Sequence, residues 1–424
     1  FAPEAIVRTP IRDRPLAAAL AGIDGSISSG GAAWRWVGGV EFRDVVLRDR
    51  AGRAAVIVPR LIIDRGLAHL AIDRRSLGTV RLVGPEALVE VRGDGSSLED
   101  ILAPWLATAG DVPALEVEVL DGTVEFVDPA RRDAWRMSDV IAAGTLRGDG
   151  SLAGWTAAGR LRHSAGTGPP QMPPVAAPPA DVPHLDRSTI PTAAAGVLVR
   201  EGGWSISSPA PTSATRTMTV AGHRVPLGFS SIIATRFGLP QLLDGIADIR
   251  LDVTDAVDGR RAQGVVTVDR FALCDTADLA ERLVLDRCEV PFDVGLMGDR
   301  LSVRRLAATS PMVRAEVAGT LRLPQADVRG WVEQLAAEDF TLSVDVDVAA
   351  AARGLPDGIR VRPDVRITGG ALTLSAASRA DGPDRLLEVR ATARDLAATA
   401  AAPEGAAAPP RELAWQEPFS GWLK

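Results

Sequence analysis

The chain has 424 residues, a formal net charge of −7 and an apolar fraction of 46%. The apolar content and the positive mean hydropathy exclude a chain that is disordered throughout, and the acidic balance leaves no basic field that would attract nucleic acid. Only 4% of the residues are aromatic and none is Tyr, so few bulky side chains can fill a compact core, and the composition favours thin sheets.

Alternation of apolar and polar residues with a period of two predicts strands along most of the chain. Asp-Gly pairs recur between these strands, from Asp24-Gly25 to Asp381-Gly382. Such pairs favour short hairpin connections, so we expect consecutive strands to lie side by side and antiparallel. The predicted strand regions are 22–52, 54–64, 86–95, 113–128, 247–259, 264–273, 313–323, 340–350 and 386–396.

The stretch from 113 to 128 has a clear two-faced pattern. Apolar residues alternate with acidic residues on both sides of Asp121-Gly122. We expect this pair to reverse the chain, which predicts a β-hairpin with one apolar and one acidic face. The apolar phase contains Leu115, Val117, Val119, Val124 and Phe126.

The second half of the chain repeats this pattern, and residues 365–374 resemble residues 117–126 as an internal echo. In 340–350 the polar phase is acidic, with Asp345 and Asp347, and we interpret it as a solvated face without a calcium site. The apolar phases of these later strands contain Val317, Leu321, Val344, Val346 and Val389.

The sequence predicts helices in three segments, at 97–110, 230–246 and 327–340. The first begins at Ser97, a favourable N-cap residue, and Glu99 lies in its first turn, where acidic side chains are stabilising. The fold class is therefore mainly β, as a long, twisted antiparallel sheet with a few short helices.

Composition changes divide the chain into four parts. A β-rich lobe at 1–163 is followed by a Pro- and Ala-rich linker or loop at 164–196, in which proline removes backbone donors and prevents a regular ladder. A second β-rich lobe at 197–396 follows, and 397–424 form a low-complexity tail. The lobes need not be independent domains, because a sheet can continue across an insertion.

No motif for catalysis or metal binding was found in the sequence. His69, His163, His184 and His223 are far apart, and Cys274 and Cys288 fit no metal-ligand spacing. A disulfide between the two cysteines and two buried thiols are equally open. With no nucleophile elbow, phosphate-binding loop or dinucleotide fingerprint, the sequence predicts a protein that is not an enzyme and needs no cofactor or metal.

Three short sequence motifs in the first lobe occur in a characteristic order. Val83-Gly84-Pro85 leads into a strand that ends at Val91, Asp94-Gly95-Ser96-Ser97-Leu98 opens a short helix, and Leu120-Asp121-Gly122-Thr123 leads to Asp128. This order resembles the AsmA-like family of bacterial envelope proteins, which are related in architecture to TamB and to chorein-type lipid-transfer proteins. The resemblance covers residues 22–160, about a third of the chain. Ser97 stands where many relatives have Asn, a change that keeps the helix cap.

The resemblance implies a function and a location. Members of this family are expected to form a curved β-sheet whose apolar concave face is an elongated hydrophobic groove that shields phospholipid acyl chains during transport between inner and outer membranes. It implies a periplasmic, cell-envelope protein anchored in the inner membrane by an N-terminal helix. That helix is missing from this sequence, which has no apolar run of 18 residues. The sequence opens at Phe1 without Met, which fits a trimmed start. The implied groove lining is Val117, Val119, Val124, Phe126, Val317, Leu321, Val344, Val346 and Val389.

Two other interpretations stay open. The same alternation in a β-sandwich would bury one sheet against another. A non-enzymatic envelope scaffold, or an outer-membrane-biogenesis factor, would instead bind proteins along exposed strand edges. These three interpretations differ in what covers the apolar faces.

Overall fold

The computed structural model is mainly β: of the residues that it describes, 71% lie in strands and 12% in helices, and the 22 described strands form a mixed sheet. This confirms the predicted fold class and the small helix content. The chain divides into two compact units, unit 1 with Phe1–Ser213 and Val220–Leu239, and unit 2 with Ala214–Thr219 and Pro240–Lys424. The structure describes residues 9–20, 22–73, 76–107, 114–147, 152–164, 202–210, 215–237, 241–275, 281–322, 338–354, 365–381, 384–400, 411–415 and 417–423.

Unit 1 contains the first strands and four short helices. Its strands are β1 (Gly25–Ser28), β2 (Gly31–Ala33), β3 (Val40–Asp49), β4 (Ala54–Ile63), β5 (Ser76–Val83), β6 (Glu86–Arg92), β7 (Gly95–Ser96), β8 (Ala114–Asp128), β9 (Asp133–Leu146), β10 (Leu152–His163), β11 (Gly203–Ser208) and, divided between the two units, β12 (Arg216–Pro226). Its helices are α1 (Arg14–Ala19), α2 (Leu67–Ile72), α3 (Ser97–Ala107) and α4 (Ser230–Phe237), with 3₁₀ turns at Pro10–Asp13 and Leu227–Phe229.

The predicted hairpin at 113–128 is wrong, because β8 runs through Asp121-Gly122 without reversing. Asp121 has a left-handed backbone, with φ of 55°, and forms a β-bulge that shifts the register with β9. The connection from β5 to β6 supplies hydrogen-bond partners for the backbone of β8 on either side of this bulge. Gly84 N donates to Leu120 O at 2.8 Å, and Thr123 N donates to Pro85 O at 2.7 Å.

The sheet is predominantly antiparallel, as predicted, but β8 departs from this pattern. β5 and β6 both pair with β8 in parallel, β5 along its first half and β6 along its second half. A local reading of Asp-Gly pairs cannot find such a pairing, because the partner strands are distant in sequence. The pairs of β3 with β4, β8 with β9, and β9 with β10 are antiparallel as expected.

Unit 2 is a regular antiparallel array in which each strand from β13 to β20 pairs with the next. β20 also pairs with β21 and β22. Its elements are β13 (Gln241–Ala256), β14 (Gly259–Asp275), β15 (Glu281–Met297), β16 (Arg300–Thr309), β17 (Val313–Arg322), β18 (Phe340–Asp347), α5 (Val348–Gly354), β19 (Val365–Asp381), β20 (Asp384–Ala400), β21 (Arg411–Ala414) and β22 (Phe419–Leu423).

The internal echo at 365–374 has the same structure as its counterpart in β8. It lies within β19, which also continues without reversal past a left-handed residue, Gly370, with φ of 133°. Asp395 in β20, with φ of 54°, lies at the same level. Both echo segments are therefore bulged strands.

The helix predictions have mixed outcomes. The first helix is present as α3, and the second is present over Ser230–Phe237 but wrong from Gln241, where β13 begins. The third predicted helix, apart from residues 338–340, and the linker at 164–196, apart from Ser164, lie outside the described residues. In the predicted tail, the described residues lie mainly in the end of β20 and in β21 and β22.

Among the described residues, some of the buried side chains form three small clusters, each beneath a helix or loop. In unit 1, Phe42 lies at the centre of one cluster with α1, and the Trp34 ring meets it edge-on at 6.4 Å. A second cluster lies beneath α4, and a third, in unit 2, lies beneath α5. The rest of the apolar strand surface lies outside these clusters.

Candidate functional site

The apolar residues of unit 2 form rows that cross neighbouring strands. The register pairs Phe292 with Leu306, Leu306 with Val317, and Val317 with Leu342, and the row continues through Ala376 to Val389. A parallel row joins Ala315, Val344, Leu374 and Ala391. We call these ten residues the open face of unit 2.

Polar residues occupy the opposite side of the same strands. Glu316 pairs with Ser343, which pairs with Ser375, and Arg314 pairs with Asp345. Asp345 accepts a hydrogen bond from Thr373 Oγ1 at 2.8 Å. Because side chains alternate across a strand, unit 2 has an apolar side and a hydrated, charged side.

The open face is only partly covered. Among its ten residues only Ala376 is buried, and Leu306 is 36% exposed. In a β-sandwich the inward-facing residues of both sheets would be buried against each other. The described strands of unit 2 all belong to one sheet, so no second described sheet in unit 2 packs on this face.

One end of the same apolar side is closed by α5. Val346, in the row next to Val344, packs with a buried cluster that includes Leu285, Cys288 and Ala351. Ala351 lies on α5, which follows β18 directly. Val346 thus contacts protein, although it has the same strand phase as Val344.

Unit 1 also has a partly covered apolar strip along β8, centred on Val117 and Val119 and closed at one end. Val117 pairs with Val80 and Gly144, and Val119 pairs with Leu82 and Ala142. All six of these residues are only partly buried. The strip begins at Leu115 and Leu146, which face each other across β8 and β9.

The far end of this strip is closed by α4 and the turn before it. Phe229 meets the ring of Phe126 at 5.7 Å and that of Trp135 at 5.9 Å, both edge-on. Val124 and Phe126 pack against the buried cluster that contains Trp135 and Ile232. These two predicted lining residues therefore contact protein.

A polar network fastens α4 to the strand ends. Asp133 accepts hydrogen bonds from Ser231 Oγ at 2.6 Å and Trp135 Nε1 at 2.9 Å, and bonds to His163 Nε2 at 2.8 Å. Burial acts to raise the pKa of Asp133, but these hydrogen bonds outweigh it and hold the pKa below its usual value. The fully buried Asp128 accepts a hydrogen bond from Thr235 of α4.

This network does not have the arrangement of a nucleophilic triad. In a triad the histidine bonds to both the nucleophile and the carboxylate. Here Asp133 lies in the middle and bonds to both Ser231 and His163. The three side chains hold α4 in place, and the Ser231 hydroxyl donates to the Asp133 carboxylate while His163 bonds to the other oxygen of that carboxylate.

The described residues contain no cluster of three or more His, Cys, Asp or Glu side chains that could hold a metal ion. Within the same part of the chain, no helix has the length and apolar character needed to cross a bilayer. Cys288 is a free, buried thiol. It pairs with Val268, whereas Cys274 pairs with Glu281, so the two cysteines do not form a disulfide.

Six of the nine predicted lining residues lie in partly covered regions: Val117, Val119, Val317, Leu321, Val344 and Val389. Val124, Phe126 and Val346 lie under α4 or α5. Sequence reasoning did not find Phe292 and Leu306, since β15 and β16 were not among the predicted strands. The alternation in "VPFDVGL", residues 290–296, was the available signal.

Comparisons with protein-family models, with curated proteins and with solved structures found no match to this chain.

Proposed function

We propose that this chain is a non-enzymatic lipid-transfer protein of the cell envelope that shields phospholipid acyl chains on its open apolar faces. The observation that carries the proposal is the row from Phe292 to Val389, which crosses six strands and is left partly exposed. Monomeric soluble proteins rarely expose contiguous apolar surface of this kind without a function.

The physical chemistry of acyl chains fits such a face. Burial of one CH₂ group is worth about 0.8 kcal/mol, so a chain of about 16 carbons gains roughly 12 kcal/mol by leaving water. The lining is Val, Leu, Ala and one Phe, which gives an apolar wall without polar groups that would fix a ligand in place. A lipid headgroup at the edge of the face can stay hydrated.

The resemblance to the AsmA-like family supports the same proposal and extends it. Under this proposal the chain is periplasmic, held at the inner membrane by a helix upstream of Phe1, and carries phospholipid between inner and outer membranes. Bulged strands such as β8 and β19 support the proposal, because bulges increase strand twist and bend a sheet.

The test uses the full chain, a photoactivatable phosphatidylethanolamine, and charged substitutions on and off the open face. In Val344→Asp and Val317→Asp the carboxylate can reach water, so we expect a folded protein whose crosslinking to lipid falls at least tenfold. The matched control is Thr341→Asp, on the exposed opposite side of β18, which should crosslink as the wild type does.

A third variant separates the open region from the covered region. Val346→Asp places a charge against the apolar cluster beneath α5, so we expect a large loss of thermal stability. Absence of crosslinking in the wild type would contradict the proposal. Unfolding of Val344→Asp to the extent of Val346→Asp would favour a closed sandwich.

A further inference from the structure

Unit 1 has a second apolar surface, separate from its strip. Val37 is 86% exposed, Ile72 is 88% exposed and Trp36 is 57% exposed. Trp36 and Val37 lie in the connection between β2 and β3, and Ile72 ends α2. We call these three residues the apolar tip.

The backbone holds the members of the tip together. Leu67 N donates to Arg35 O at 3.0 Å, and Ala68 N donates to Trp36 O at 3.3 Å, so the connection is bound to the start of α2. Gly66 allows this contact, since a Cβ there would lie 2.6 Å from the carbonyl oxygen of Trp36. Ile72 lies about 6 Å further along the helix axis from Ala68.

Trp36 is exposed although the segments around it pack against a buried cluster. Trp34, two residues earlier, packs edge-on against the buried Phe42. Leu67 and Leu70 of α2 pack against the same cluster. The connection and α2 thus have inward-facing apolar residues that are packed, and Trp36, Val37 and Ile72 are left facing outward.

The tip lies at the end of the sheet where the strip of unit 1 begins. β4 ends at Ile63, and the next residue, Asp64, accepts a hydrogen bond from Thr79 N at 2.9 Å through its carboxylate. Asp64 and Arg65 border a cavity of about 490 Å³ that is also lined by Leu115 and Leu146, the first residues of the strip. The opposite end of the strip is closed by α4.

We propose that the apolar tip inserts into the interfacial region of a phospholipid bilayer and places the open end of the strip at the membrane, an inference that rests on the proposed lipid-carrying function. Tryptophan favours the level of the lipid headgroups. Val37 and Ile72 supply aliphatic side chains for the acyl boundary. The exposed Arg35 guanidinium, which has no ion pair with any described residue, complements lipid phosphate.

The size of the tip favours a bilayer over a protein partner. Three side chains expose on the order of 400 Å², whereas a stable protein–protein interface buries about 600 Å² or more on each partner. A bilayer accepts a small apolar insertion because it needs no complementary surface.

The experiment measures co-flotation of the full chain with vesicles of phosphatidylcholine and phosphatidylglycerol in equal parts. The test variant is Trp36→Ser with Val37→Ser and Ile72→Ser. The matched control, Val257→Ser with Met297→Ser, removes two apolar side chains of unit 2 that are 91% and 67% exposed. We expect the tip variant to lose at least tenfold in vesicle partitioning, the control to change less than twofold, and both to melt as the wild type does.

A second readout separates this inference from the proposed function. In detergent micelles, where no bilayer must be reached, the tip variant should still crosslink photoactivatable phospholipid as the wild type does. If the tip variant keeps its crosslinking and partitions into vesicles as the wild type does, the membrane role of the tip is wrong and the lipid-carrying function stands. The same conclusion follows if the control variant loses as much vesicle partitioning as the tip variant. Absence of crosslinking in the wild type overturns the proposed function. A change of oligomeric state in the tip variant, with vesicle binding intact, assigns the tip to a second copy of the chain.

Discussion

Asp121 in β8 and Asp139 in β9 both have a left-handed backbone, with φ of 55° and 53°, and both lie where the pairing of these two strands shifts. Val119 pairs with Ala142 before the shift, and Val124 pairs with Met137 after it. Both strands therefore have one extra residue, and the pairing resumes in phase. The result is that Val119 and Val124, five residues apart, face the same side, whereas an unbroken strand would place them on opposite sides.

Asp121 should be sensitive to the shape of its replacement. Val is disfavoured in the left-handed region, whereas Asn and Gly adopt it with little strain, so we expect Asp121→Val to lower the free energy of unfolding by about 1–2 kcal/mol. Asp121→Asn should change it by less than about 0.5 kcal/mol, since the side chain is exposed. Urea unfolding of the two variants makes the comparison. Equal stability of the Val and Asn variants would show that the bulge does not need a left-handed residue.

The same relationship shows what the sequence could and could not predict. The alternation around Asp121-Gly122 correctly identifies strands and their apolar phase. It cannot distinguish a hairpin turn from a bulge, because both use Asp-Gly with positive φ. The choice depends on Gly84 and Pro85, which form hydrogen bonds with the backbone of Leu120 and Thr123, 36 and 38 residues away in sequence.

The candidate site shows the same limit. Val344 and Val346 have identical phase in β18, so the sequence pattern predicts the same apolar surface for both. Only the return of α5 over one end of the sheet, towards Leu285 and Cys288, makes Val346 part of a core. Coverage by a short helix of Ala residues has no local signature, so the sequence predicts the apolar side but not which part of it stays open.

Removal of the Phe229 ring should loosen the closed end of the strip in unit 1. Its edge-on contacts with Phe126 and Trp135 hold the turn before α4 against the sheet, and truncation of a packed Phe to Ala costs about 3 kcal/mol. We expect Phe229→Ala to lower the free energy of unfolding by about that amount, measured by urea denaturation followed by Trp fluorescence. The control is Ile233→Ala on α4, where the side chain is 49% exposed and the expected loss is below about 0.5 kcal/mol. Similar losses in both variants would contradict a specific role for the Phe229 ring.

Asp133 should make the attachment of α4 sensitive to acid. Burial acts to raise the pKa of its carboxyl, and the hydrogen bonds from Ser231, Trp135 and His163 more than compensate, so the folded pKa lies below the unfolded one. The charged form therefore stabilises the fold at pH values above the unfolded pKa, and this contribution is lost as pH falls through the folded pKa.

Asp133→Asn tests this sign. At pH 7 the variant should be less stable than the wild type by roughly 2 kcal/mol, the scale of hydrogen bonds to a charged group. The difference should shrink as the pH falls below about 3.9, the value of an unperturbed Asp, because the wild-type carboxyl becomes neutral. Urea unfolding across this pH range measures it. A difference that grows in acid would mean that the folded pKa is raised.

The last prediction concerns the two cysteines. Cys288 pairs with Val268 in β14, six residues from Cys274 in the same strand, which corresponds to about 20 Å at the rise of an extended strand. A disulfide needs Cα atoms within about 7 Å, so the pair stays reduced without a change of register. Burial also raises the pKa of the Cys288 thiol, which lowers its thiolate fraction and slows its reaction with thiol reagents. In Cys274→Ser, where Cys288 is the remaining thiol, we expect labelling by a maleimide to be at least 100-fold slower in the folded protein than in urea. Fast labelling of the folded variant would place Cys288 at an accessible surface and would contradict the packing of α5 over it.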